Sequence, residues 1–271
     1  MELWIDYGDR KDLGRTGEKV SAIGLGTWNI QVGERMVEAI VKAVELGMDM
    51  VDTAEMYGDG SAEVTVGEAV RRVGRDNIFI TTKIMPDRFR DEHLVFKAVE
   101  ASLRRMGIKE ADLILVHWPV EDIPVSRMMR IMEKVADKGY TRYIGVSNFN
   151  VNHLEEALNT LSKYDVVVNQ VRYSVYDKSI EPEVLPYMVR NGITVQAYTP
   201  LERGRVVNDD RLVEIGKKYG KSGVQVALNY LISHRYVTAI PKTEKVDRVV
   251  EYKGALGWRL SEDDLLRLKK L

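Results

Sequence analysis

The feature that most constrains this chain is a rhythm. A short apolar run, often β-branched, ends in a polar residue, a longer stretch with helical spacing follows, and the unit recurs along the whole sequence. The runs at 22–26, 48–51, 78–82, 113–116, 143–146, 165–168, 193–197 and 236–240 read as strands. Helices are predicted at 33–46, 61–73, 91–106, 126–138, 150–161, 180–190, 212–219, 224–232, 246–252 and 262–270. In the first of these Met36, Val37, Ile40, Val41 and Val44 share a face, and Gly47 can stop the helix. In the third, Asp91 can cap, and Leu94, Val95, Ala98, Val99 and Leu103 form the apolar stripe. Residues 11–22, punctuated by Gly14 and Gly17, read as a small hairpin ahead of the first strand. Near-continuous apolar strands suit a parallel sheet covered on both faces. Repeated β-then-α units then predict an α/β fold, a (β/α)8 or TIM barrel with an N-terminal β-hairpin, over an open doubly wound sheet. No linker or composition break interrupts residues 1–271, so a single domain is expected.

Composition narrows the function. Forty Lys and Arg against 41 Asp and Glu leave a net charge of −1, which gives no global attraction to nucleic acid or a membrane surface. Any anion site must be a local cluster. The absence of cysteine removes disulfides, thiolate catalysis and Cys-based metal centres. His93, His117, His153 and His234 have no paired ligand spacing, so no metal site is expected. The opening residues Met1 to Asp6 lack the basic-then-apolar pattern of a leader, and no apolar run approaches a membrane span. A cytoplasmic protein is the expectation.

The polar residues at the strand ends are Asp52, Lys83, His117, Ser147 with Asn148, Asn169 with Gln170, Tyr198 and Lys242, most of them roughly one βα unit of about 30 residues apart. In a barrel all of these ends lie on one rim, where barrel enzymes place their chemistry. A polar strand end is, taken singly, often just where the chain meets water; the combination carries the chemical logic. Tyr57, five residues beyond Asp52, is a candidate proton donor to a carbonyl. An ammonium nearby, Lys83, would lower the phenol pKa, and a drop of about two to three units corresponds to about 3–4 kcal/mol. A buried lysine keeps its charge only with a carboxylate partner, for which Asp52 is the candidate. His117 could orient the carbonyl and its developing oxyanion.

These residues resemble the aldo-keto reductases, NAD(P)H-dependent (β/α)8 barrels, over almost the whole chain. Gly47-Met48-Asp49-Met50-Val51-Asp52-Thr53-Ala54, with Tyr57 and Glu63-Val64-Thr65-Val66-Gly67, is similar to the family's first signature. By that resemblance Asp52, Tyr57, Lys83 and His117 match its catalytic tetrad. Gly145-Val146-Ser147-Asn148-Phe149 and Asn169-Gln170 resemble its nicotinamide-carboxamide contacts, and Tyr198 the aromatic that stacks on the nicotinamide. Ile240-Pro241-Lys242-Thr243, Arg248 and Glu251 resemble the motif at the adenosine end. The resemblance also implies cofactor contacts at Gly26, Thr27, Trp28, Asp52, Pro200, Leu201, Arg203 and Gly204, and an open substrate pocket lined by Trp28, Met56, Tyr57, Met85 and Trp118. It further implies a small carbonyl substrate and a monomer.

Gly24-Leu25-Gly26 lacks the third glycine of a Rossmann fingerprint, so that cofactor mode is not expected. Lys242 and Arg248 near a helix start suit a 2′-phosphate, which favours NADP over NAD; Arg248 could instead pair with Glu244 or Glu251. Three departures from the family pattern stand out: a longer loop over 54–63, Tyr252 in place of an adenine-contacting asparagine, and Ser174 after Tyr173 in place of histidine. The resemblance also implies that the long C-terminal loop of many members is lacking. Two other functions compete with reduction. One is an NADPH-binding regulatory module with little turnover. The other is a phosphate-sugar aldolase or isomerase in which Lys83 forms a Schiff base.

Overall fold

A computed structural model describes residues 5–30 and 33–271. Residues 1–4, on which most of the leader reading rests, lie outside the described residues. The elements run, in chain order, β1 (Arg10–Asp12), β2 (Lys19–Ser21), β3 (Leu25–Gly26), α1 (Glu34–Glu45), β4 (Met50–Asp52), α2 (Ser61–Val73), β5 (Phe79–Ile84), α3 (Glu92–Met106), β6 (Ala111–Val116), α4 (Val125–Asp137), β7 (Thr141–Ser147), α5 (Val151–Thr160), β8 (Val166–Arg172), α6 (Val184–Asn191), β9 (Thr194–Tyr198), α7 (Asp210–Tyr219), α8 (Gly223–Ile232), β10 (Val237–Ala239), α9 (Val246–Lys253) and α10 (Glu262–Lys269).

Strands β3 to β10 form one parallel sheet in sequence order. Parallel bridges Ile23–Ala239 and Gly26–Lys242 join its first strand to its last, closing the barrel. Just before β3, a side chain on Gly24 would put Cβ 2.4 Å from the carbonyl oxygen of Met50 in β4, so only glycine lets these two neighbouring segments approach. The predicted hairpin is β1 against β2, and its Leu13 and Val20 pack with Met50, Phe79, Leu113, Leu115 and Ile240 in the core inside the barrel. A larger core lies between strands and helices.

Several boundaries moved for physical reasons. Strand β5 continues through Lys83 to Ile84, so the lysine points from within the strand rather than beyond it. Helix α6 starts only at Val184, and the preceding residues form turns. Asp91 does cap α3, accepting from the His93 N–H at 2.9 Å. Leu94, assigned to that helix's apolar stripe, is 40% exposed. Arg203 and Gly204, expected as cofactor contacts, lie in a 3₁₀ segment, Glu202–Asn208, both in left-handed conformations.

Candidate active site

Strands β4 and β5 are hydrogen-bonded neighbours, and both bring a charge to the same rim. Lys83 Nζ donates to both Asp52 carboxylate oxygens, at 2.6 and 2.8 Å, and to the Thr53 carbonyl at 2.9 Å. Its fourth oxygen neighbour is the Tyr57 hydroxyl, at 3.1 Å. Gln170 from β8 donates to Asp52 at 2.7 Å and also to Gln196 on β9. His117, just beyond β6, meets the Tyr57 ring edge-on with centroids 5.8 Å apart, and Trp118 packs on His117 at 4.6 Å. The tetrad predicted from sequence is therefore one contiguous constellation.

Its electrostatics are dominated by burial. Lys83 is fully enclosed; burial pulls its pKa down, but Asp52 and the Tyr57 phenol outweigh that, and the net direction is up. Burial raises the Asp52 carboxyl, against the pull of Lys83 and Gln170. For Tyr57 burial again comes first: it raises the phenol, Lys83 opposes, and Asp52 reinforces it. This corrects the expectation of a lowered phenol pKa. The resting tyrosine is held in its acid form. His117 is lowered to about 3 by burial, with the Lys83 charge adding to it, so the imidazole is neutral at pH 7. Among the described residues, no side chain or backbone group hydrogen-bonds its buried Nδ1. A buried acceptor without a partner is tolerated better than a buried N–H, an argument for the tautomer protonated on Nε2, and the His117 side chain lines the cleft.

A second cluster adjoins the first. Ser147 Oγ donates to the Gln170 carbonyl at 2.8 Å, Asn148 Nδ2 to Ser147 Oγ at 3.1 Å, and Tyr198 OH to Asn148 Oδ1 at 2.9 Å. Asn148 and Thr199, at φ 60° and 54°, are left-handed, uncommon for asparagine and strained for a β-branched threonine. They flank amide- and aromatic-bearing side chains on the wall of a cleft of about 1170 Å³. That wall includes Gly26, Trp28, Asp52, Met56, Tyr57, His117, Trp118, Ser147, Asn148, Gln170, Tyr198, Pro200, Leu201, Arg203, Gly204, Lys242, Thr243 and Arg248. Trp28 is 52% exposed, with the Arg203 guanidinium 5.5 Å from its ring centre, so the cleft is open at this end.

Five predicted contacts do not line the cleft, and the first of them, Asn169, is buried with its amide donating to the Phe149 carbonyl at 2.9 Å. Thr27 is buried, its hydroxyl donating to the Asp52 carbonyl at 2.9 Å. Lys83 is fully buried behind the wall, its ammonium held by Asp52, the Thr53 carbonyl and the Tyr57 hydroxyl. Met85 lies at the start of a 3₁₀ turn, Pro86–Arg90, with its N–H held by Glu55 at 2.8 Å. Glu251 instead pairs with Arg248 at 2.5 Å and accepts from Ser222 at 2.8 Å. Lys242 is paired with Glu244 at 2.8 Å. Tyr252 lines the cleft, its hydroxyl donating to the Lys242 carbonyl at 3.2 Å, and burial pushes its pKa up to about 12. Ser174 organises a turn, donating to Glu202 and accepting from the Tyr176 and Asp177 N–H groups.

Residues missed from sequence include Gln196, which accepts from Gln170, and on the cleft wall Asn29, Glu244 and Lys245. Gln196 was visible as an amide inside an apolar strand run, and Glu244 only as a possible partner of Arg248.

A barrel with an Asp–Lys–Tyr–His constellation beside an amide-rich cleft defines a class of nicotinamide-dependent oxidoreductase. Residues 22–271 match the model of the aldo/keto reductase family, and the chain belongs to that family. It is an NAD(P)H-dependent oxidoreductase acting on small carbonyl compounds. Among its relatives is methylglyoxal reductase YeaE of Escherichia coli (strain K12), 34% identical, with 92% of this chain and 90% of the relative covered. An NADH-specific methylglyoxal reductase of the same strain is 30% identical, over 94% and 87% of the two chains. The crystal structure of an aldo/keto reductase from Klebsiella pneumoniae in complex with NADP and acetate matches with a TM-score of 0.90, 32% identity and coverage of 97% and 94%.

Proposed function

We propose that this protein reduces small aldehydes and ketones to alcohols, with NADPH preferred to NADH and Tyr57 as proton donor. The observation that carries the reading is the Tyr57 hydroxyl 3.1 Å from Lys83 Nζ, beside His117 at the cleft. The donor set fits a nicotinamide nucleotide. Ser147, Asn148 and Gln170 offer amide-recognising groups beside the Tyr198 ring, and Arg203, Lys242, Lys245 and Arg248 offer cations elsewhere on the wall. Bound there, the reduced nicotinamide would supply the hydride.

The chain's own groups handle the proton. Tyr57 gives its O–H proton to the substrate oxygen, and the phenolate left behind is stabilised by the Lys83 ammonium. Asp52 holds that ammonium in place and charged. Neutral His117 donates from Nε2 to the same oxygen as charge develops. Lys83, clasped by four oxygens, is poorly placed as a free nucleophilic amine, which disfavours the aldolase reading. The relatives' names make methylglyoxal and related small dicarbonyls the first substrates to assay. The working unit is read as a monomeric single domain over 1–271, and sedimentation as a species of one chain's mass would support it.

The test is Tyr57→Phe. Turnover should fall by about 100-fold or more, the scale of general acid catalysis, while NADPH binds within about threefold of wild type. Unchanged turnover in the variant would remove Tyr57 from the mechanism. Tight binding by the wild type without turnover of any carbonyl would favour the regulatory module.

A further inference from the structure

We propose that Glu244 is a cofactor-specificity residue that competes with a ribose 2′-phosphate for Lys242, and so narrows the preference for NADPH over NADH. The inference rests on the reading that a nicotinamide nucleotide occupies the cleft with its adenosine end at residues 242–252. Lys242 and Glu244 both line that end, and their side chains are joined at 2.8 Å. The Glu244 side chain is 15% exposed, so its carboxylate is largely enclosed by the wall. The second candidate cation, Arg248, is likewise held, by Glu251 at 2.5 Å. Neither cation awaits an anion with its charge uncompensated.

The two cofactors meet this arrangement differently. A 2′-phosphate is about −1.5 to −2 in charge. To use Lys242 it must draw the ammonium away from Glu244 or share it, with a carboxylate beside it in either case. Like charges brought together in a partly enclosed site oppose binding. A 2′-hydroxyl carries no charge and can donate to a carboxylate, so Glu244 can serve it while keeping Lys242. The same residue therefore handicaps NADPH and helps NADH. Lys245, on the same wall, supplies further positive charge, which keeps the phosphate acceptable rather than excluded.

The test measures dissociation constants by titration of the protein's tryptophan fluorescence with NADPH, NADH and adenosine 2′,5′-bisphosphate. Wild type, Glu244→Gln and Lys242→Met are compared, each checked for a native circular dichroism spectrum. Glutamine keeps the size of the side chain and a carbonyl that can accept from Lys242, and removes only the charge. The expected result is that Glu244→Gln tightens NADPH and the bisphosphate by about tenfold, equivalent to about 1.4 kcal/mol, while NADH binds equally or more weakly. Lys242→Met should weaken NADPH and the bisphosphate and spare NADH. A change of less than about twofold in the NADPH to NADH ratio on Glu244→Gln, with Lys242→Met still selective, overturns this inference and leaves the proposed function standing. A wild type that binds neither dinucleotide, or a Lys242→Met variant that binds NADPH normally, overturns the cofactor reading itself and this inference with it.

Discussion

Asp52→Asn isolates the charge of Lys83. The lysine is fully buried and the aspartate nearly so, and the substitution takes away the carboxylate that makes two of the four close contacts to Nζ. The folded variant then has two choices. Keeping an unpaired buried ammonium costs about 3–5 kcal/mol. Releasing the proton at pH 7 costs the gap between the unfolded pKa of about 10.4 and the solution pH, about 4.6 kcal/mol. The variant should thus lose about 3–5 kcal/mol at pH 7, a large part of the stability of an ordinary domain. The pH dependence identifies the cause. If the folded variant holds Lys83 neutral, its folded pKa is depressed and the unfolded chain binds one more proton. Stability then rises with pH by about 1.4 kcal/mol per unit up to about pH 10, and the penalty shrinks to about 2 kcal/mol at pH 9. In the wild type the folded Lys83 pKa is raised, so its contribution is fully present below the unfolded pKa and no such slope arises between pH 7 and 9. Urea unfolding at pH 7, 8 and 9 reads both effects. The double variant Asp52→Asn with Lys83→Met should recover most of the loss. A pH-independent penalty under about 1 kcal/mol would refute the enclosed ion pair.

His117 gives a signature of its own. Its folded pKa of about 3 lies below the unfolded value near 6.5, so the unfolded chain binds the extra proton between them. Stability should fall as pH drops through that window, and His117→Gln should flatten that part of the curve in urea unfolding. In kcat/KM profiles His117 should contribute no acid limb between pH 4 and 7, because this imidazole is already neutral there, so His117→Gln should lower the rate without changing the profile's shape in that range. Between β3 and β4, Gly24→Ala forces a methyl to within 2.4 Å of the Met50 carbonyl oxygen. About 2 kcal/mol of overpacking should lower the melting temperature by about 4–8 °C, and an unchanged melting curve would count against so close an approach of strands.

The barrel was legible because its strands are apolar on both faces and its helices on one, a contrast that survives in the bare sequence. The rim was legible for a related reason. Asp52, His117 and Tyr198 sit at or just beyond strand ends, with Gln170 in the last part of β8, and in a parallel barrel all strand ends point one way. What sequence order does not encode is which side of the rim a neighbouring residue takes. Met85 was expected on the substrate wall from the family resemblance, yet it does not line the cleft: it opens the turn over 86–90 and its N–H is held by Glu55. Thr27 sits between two wall residues and turns inward to the Asp52 carbonyl. The carboxylate partners were equally ambiguous. Glu244 and Glu251 both lie within helical reach of Arg248 in sequence, and only the fold assigns Glu244 to Lys242.

Tyr57 shows why the sign of a pKa shift belongs to the fold. From sequence, an ammonium beside a phenol lowers its pKa, and that pull is present. The same packing that brings Lys83 within 3.1 Å also strips water from the hydroxyl and sets Asp52 nearby, and those two effects prevail. For a proton donor the outcome is useful. The tyrosine stays loaded across the physiological range, since its resting charge is zero and Lys83 is already balanced by Asp52. The ammonium has most to gain when the proton leaves and a phenolate forms at contact distance in a site with little water. An interaction that is weak in the resting state and strong as charge develops lowers the barrier rather than merely tightening binding. A phenol acidified at rest would forfeit part of that difference.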